Sequence, residues 1–181
     1  MTVVALVGVV SMLAVPGGVK QMQDHNARRF AGAFAQRIQG AKMRAMGRGA
    51  AVRVLINTGT GQLTISETVA QGEPSGTCLI PTNSCLRGNW DTGMRTVGSY
   101  GMDDNLTMSV SGFASPLDAL TQKSVEICFT PTGRTFQRYD ALAGDPMEPL
   151  KQSPIFHIKH VAGQQVRRVI VLPTGTTRFH F

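Results

Sequence analysis

The hydrophobic pattern divides the chain into three stretches. Residues 1–16 read MTVVALVGVVSMLAVP, almost wholly apolar, and no charge occurs before Lys20. As a helix that run spans roughly 24 Å, short of the ~30 Å hydrocarbon core of a bilayer. A secretory signal peptide would need a basic segment before the apolar run and a small-residue cleavage site after it. The sequence instead continues past Pro16 into a helical pattern. From about Val19 to Arg48, Val19, Ala27, Phe30, Phe34, Ile38, Ala41 and Ala45 recur at three- and four-residue steps and form one apolar stripe. Arg37, Arg44 and Arg48 fall along one edge of it, and Gly47 and Gly49 mark its end.

After Gly49 the period changes to two. Ala51 to Asn57 and Gln62 to Glu67 flank Thr58-Gly59-Thr60-Gly61, a hairpin turn. Residues 68–104 carry no clear period and read as irregular. Strand patterns return at Leu106–Ser111, Val125–Thr130, Thr135–Tyr139, Ile155–Val161, Val166–Leu172 and Thr176–Phe181. Pro131-Thr132-Gly133-Arg134-Thr135 is echoed by Pro173-Thr174-Gly175-Thr176-Thr177, and both read as hairpin turns with Pro at the second position. The pattern predicts an α+β fold. A long N-terminal α-helix, apolar in its first half and amphipathic in its second, packs on an antiparallel β-sandwich-like head of six to eight strands. The expected divisions are 1–18 for an apolar transmembrane helix, 19–48 for its amphipathic continuation and 49–181 for the head.

Composition supports an ordered head. The 181 residues suit one domain plus an appendage, and 42% apolar content with 20 Gly and 9 Pro fits a turn-rich globular fold rather than disorder. The net charge of +7 is unevenly placed. Lys20, Arg28, Arg29, Arg37, Lys42, Arg44 and Arg48 stand against Asp24 alone, while residues 49–181 are nearly balanced. Such a segment suits anionic lipid headgroups, nucleic acid or acidic neighbours, or is simply a solvated helix surface.

No catalytic constellation stands out: there is no G-x-S-x-G, H-E-x-x-H or Walker loop, so no enzyme, cofactor or metal site is expected. His157 and His160, three apart in a strand, point to opposite faces and make poor co-ligands. Asp103-Asp104-Asn105 reads as a polar turn rather than a calcium loop, and Trp90 as a core or loop anchor. Three cysteines, Cys78, Cys85 and Cys128, allow three single pairings. Cys78 and Cys85 flank a short loop and are the disulfide candidate in an exported head; three reduced thiols are the alternative. Cys128 has the opposite parity to Val125, Ile127 and Phe129, which places it in a sandwich core or under the helix.

The stretches MTVVALVGVVSMLAVP, AQRIQGAKMRAMGRGAAVRVLI, CFTPTGR and RRVIVLPTGTTRF together resemble the type IV pilin superfamily, and within it the minor pilins and pseudopilins of the GspH/FimT group. The resemblance covers about a third of the chain. The family's peptidase site and its Glu at the fifth mature position are not present. Aligning the prolines puts Met1 about six residues inside the mature helix, which with the missing stretch spans about 33 Å.

The resemblance implies a helix kinked or broken at Pro16, Gly17 and Gly18. It implies a subunit held in the inner membrane of a Gram-negative bacterium, its head periplasmic, before extraction into a filament on the cell surface. Its partners would be other minor and major pilins, with no small-molecule substrate. The leading function is a minor pilin that primes a type IV pilus or sits near its tip; the alternatives are a type II secretion pseudopilin and a DNA-uptake receptor. For the last, the family's Gly-Arg-x-Arg motif reads Gly175-Thr176-Thr177-Arg178 here. Arg134, Arg167, Arg168 and Arg178 would form a phosphate-contacting patch if the two echoed hairpins lie side by side.

Overall fold

The computed structural model describes residues 2–70, 80–81, 84–86, 94–112, 124–139, 147–163 and 165–180, with backbone alone for 2–20, 69–70 and 80–81. One helix, α1 (Thr2–Arg48), takes up the first quarter of the chain. Gly49 ends it: at φ 67° its amide donates to the Ala45 carbonyl at 3.1 Å, a left-handed cap that a side chain would disfavour. The backbone stays helical through Pro16, Gly17 and Gly18.

Among the described residues eleven strands follow: β1 (Val52–Asn57), β2 (Gln62–Ala70), β3 (Ile80–Pro81), β4 (Met94–Tyr100), β5 (Leu106–Ser111), β6 (Ser124–Phe129), β7 (Thr135–Tyr139), β8 (Glu148–Pro149), β9 (Ile155–His160), β10 (Val166–Val171) and β11 (Thr177–His180). They form two antiparallel sheets. The first has seven strands in the order β3-β2-β1-β6-β7-β8, with β4 also on β2; the second has four, β11-β10-β9-β5. The α+β expectation holds. Three strands were not expected. β4 lies in the stretch read as irregular because its MRTVGSY alternates weakly, Gly98 interrupts it, and its register with β2 slips between Ile65 and Ser66. β3 and β8 are two-residue bridges too short to leave a period.

The core follows the two periods. Ala27, Ala31, Phe34, Ile38, Ala41 and Ala45 of the helix are buried. From Ala31 onward these residues share one cluster with Val52, Val54, Ile56, Val125, Ile127 and Phe129 of the first sheet and Phe156, Ile158, Val169 and Val171 of the second. The rings of Phe34 and Phe156 meet edge-on at 5.1 Å. A smaller cluster of Ala51, Cys85, Cys128, Phe136 and Met147 covers the first sheet's far side. Beside it Glu126 lies between Arg138 (2.7 Å) and Arg53 (3.7 Å).

The disulfide joins Cys85 to Cys128, with Cα atoms 6.0 Å apart, and so corrects the expected Cys78–Cys85 pair. Cys128 alternates with the core-facing residues of β6 and therefore emerges on the far side, away from the helix, where Cys85 is also buried. Cys78 and Trp90 lie outside the described residues.

Candidate functional site: the helix, its flanks and the two outer surfaces of the head

The helix is held to the head by polar groups along both edges of its apolar stripe. On one flank Arg37 lies over the Tyr100 ring, 3.8 Å from its centroid. Further along, Arg44 donates from Nε and Nη2 to Glu67 Oε2 at 3.1 and 2.9 Å, and Arg48 Nε lies 2.8 Å from Oε1. Glu67 is 3% exposed, so both oxygens of a buried carboxylate are met by helix guanidiniums. This is the arginine edge seen in the sequence, and it meets the first sheet.

The opposite flank meets the second sheet. Asp24 pairs with Arg167, which also donates to Gln165 Oε1 at 2.6 Å. The Thr177 hydroxyl donates to the Ala35 carbonyl at 3.3 Å, and Lys42 Nζ donates to the Thr174 carbonyl at 2.7 Å. Much of the helix's positive charge therefore docks the head. Asp24, Glu67 and Tyr100 were missed by the sequence reading. A lone acid inside a strand, facing a helix with a basic edge, was the available signal for Glu67.

The helix's remaining side faces solvent. Met22, His25, Arg29, Gln36, Gly40, Met43 and Gly47 are exposed, Met22 at 69% and Met43 at 65%. A Cβ added at Gly32, Gly40 or Gly47 would meet nothing within 4 Å. The glycines leave open space on this side, between the flexible Met22 and Met43 and the polar His25, Arg29 and Gln36.

The echoed turns have the same construction. The Gly133 amide donates to Thr130 O (3.0 Å) and Gly175 to Leu172 O (2.7 Å), and the Thr130 and Leu172 amides donate to the Arg134 and Thr176 carbonyls at 2.9 Å each. Both glycines have positive φ, 81° and 76°, which fits a three-residue hairpin loop with a bulge. The turns do lie side by side: a Cβ on Gly175 would come within 2.8 Å of Thr135 Oγ1. The four arginines nevertheless do not share a surface. Arg167 is buried and turned to Asp24, Arg134 is exposed at the β6–β7 turn, and Arg168 and Arg178 are exposed on the outer surface of the second sheet. There Arg168 of β10 lies directly opposite His157 of β9. His157 contacts Ser111 Oγ at 2.7 Å, and partial burial followed by the Arg168 charge lowers its pKa.

Two hollows lie beside the helix. One, of about 200 Å³, is bounded by Gln23, Asp24, His160 and Gln165; the other, of about 400 Å³, by Asn26, the Asp103–Asn105 turn and His160. Among the described residues no group of three or more His, Cys, Asp or Glu side chains could hold a metal ion. Among those residues, too, no helix is long and apolar enough to cross a membrane.

No family model matches the sequence, and no curated protein matches it. Among solved structures, the chain is similar to the minor pseudopilin EpsH from the type 2 secretion system of Vibrio cholerae. That match has a TM-score of 0.53 and 15% identity over 86% of this chain and 96% of that one. A crystal structure of the same pseudopilin matches at 0.51 and 16%, over 87% and 94%. The type IV minor pilin FimU of Pseudomonas aeruginosa matches at 0.47 and 14%, over 84% and 91%. The chain thus shares the fold of these pseudopilin structures, one long helix packed on antiparallel sheets.

Proposed function

We propose that the chain is a minor structural subunit of a pilin-like filament, with its N-terminal helix bundled against those of neighbouring subunits and its head outside. One observation carries the reading. The 47-residue helix, about 70 Å long, packs into the head core through Ala31, Phe34, Ile38, Ala41 and Ala45, and its far side is exposed and carries Gly40 and Gly47. Burial of the apolar first half against neighbouring helices would replace lipid contact, which fits a subunit that waits in the inner membrane with a periplasmic head. The likeness to EpsH favours a secretion pseudopilin over a pilus-priming minor pilin.

The test is to shear surface filaments from the source cells and search them by mass spectrometry, alongside secretion assays of a deletion strain. Retention of normally secreted enzymes, with the chain absent from sheared pili, supports the pseudopilin. Its presence in sheared pili, with secretion intact, assigns it to the pilus instead. A chain found in neither filament, with both activities normal in the deletion strain, would overturn the filament reading.

A further inference from the structure

The outward positions of the second sheet form a regular grid. The register places Val166 beside Lys159 and Thr107, then His180, Arg168, His157 and Ser109 in a row, then Arg178, Ile170, Ile155 and Ser111. Two properties stand out. Lys159, Arg168 and Arg178 are all exposed and step diagonally across β9, β10 and β11, roughly 7–8 Å apart, and no outward position carries a carboxylate. Ile155 and Ile170 face each other across β9 and β10, both half-exposed, and Val166 is 37% exposed nearby. The remaining positions are hydroxyls and two histidines. His157, its pKa lowered by burial and by Arg168, adds little charge near neutrality.

We propose that this surface docks an acidic, partly apolar face of a neighbouring protein subunit. Charge complementarity sets the sign of the partner: three cations without a compensating acid repel another basic surface and attract carboxylates. The isoleucine pair sets its class. An exposed apolar pair beside a line of cations suits a protein–protein contact, whereas phosphate binding needs the cations alone. The partner's being a companion subunit rests on the filament reading above; the surface itself does not.

The test uses the full chain in detergent micelles and fluorescence anisotropy with three labelled probes: a peptide alternating Glu and Ile, an all-Glu peptide and a double-stranded oligonucleotide. The Glu/Ile peptide is expected to bind best. The R168E/R178E variant should weaken it at least about tenfold, and I170T, which keeps β-branching, should weaken it several-fold. Oligonucleotide binding lost in R168E/R178E but unchanged in I170T would make the surface a nucleic-acid site and overturn the proposal. Equal binding of both peptides, or none by the Glu/Ile peptide at low salt, would also overturn it. Intact peptide binding by a chain absent from any filament would overturn the filament reading alone.

Discussion

Gly133 and Gly175 hold equivalent places in two turns built alike, yet their surroundings differ. A Cβ on Gly133 would enter open space, while one on Gly175 would lie 2.8 Å from Thr135 Oγ1 and 2.9 Å from the buried Phe129 ring. Gly133→Ala should therefore cost only the left-handed backbone penalty, about 1 kcal/mol, and Gly175→Ala about 2–3 kcal/mol. Urea unfolding of the two variants checks the order; equal losses would mean that the turns do not press together. His157 offers a second residue-scale test. Its folded pKa lies below its ordinary value, so the stability it contributes is present above about pH 6.5 and is lost as pH falls through the lower folded value. Between about pH 7 and pH 5 the wild-type chain should lose stability more steeply than His157→Gln. Parallel curves would show that this ring is not a source of the slope.

Among the elements, the helix was the most legible. Its stripe predicted the buried Ala27, Phe34, Ile38, Ala41 and Ala45, whereas the docking of its arginine edge on Glu67 was not read from the sequence. Glu67→Ala should cost about 2–4 kcal/mol, because it strips two guanidiniums of their shared buried partner. Arg44→Ala should cost roughly 1 kcal/mol, since Arg48 still reaches the carboxylate and both arginines are partly exposed. Chemical denaturation of the two variants gives the comparison, and a larger loss for Arg44→Ala would contradict a carboxylate-centred clamp. The strands with clean alternation, such as β5 with its buried Leu106, Met108 and Val110, were equally readable. β4 was not, because an edge strand with a glycine and a bulge has no single buried side to impose a period on its sequence.

At the scale of the whole molecule, the Cys85–Cys128 bridge ties the cover of the first sheet's far side to β6, closing 43 residues of chain. Loop-closure entropy puts its contribution near 4 kcal/mol. Cys128→Ala should lower the thermal midpoint by several degrees, while Cys78→Ser should leave it nearly unchanged. Non-reducing peptide mapping checks the pairing directly, and a Cys78–Cys85 peptide would refute it.

The sequence by itself determined what depends on local period and local chemistry. The helix through Arg48, its buried side, the alternating strands and the two Pro-Thr-Gly turns were all readable, because side-chain periodicity and turn residues act within a few positions. Only the tertiary structure decided what depends on which surfaces meet. β1 lies between β2 and β6, Arg167 turns inward to an aspartate far earlier in the chain, and Cys128 finds Cys85. Strand parity could say that Cys128 and the core residues of β6 point opposite ways. It could not say what covers the other side, because that partner is brought there by the fold and leaves no pattern near Cys128 in the chain.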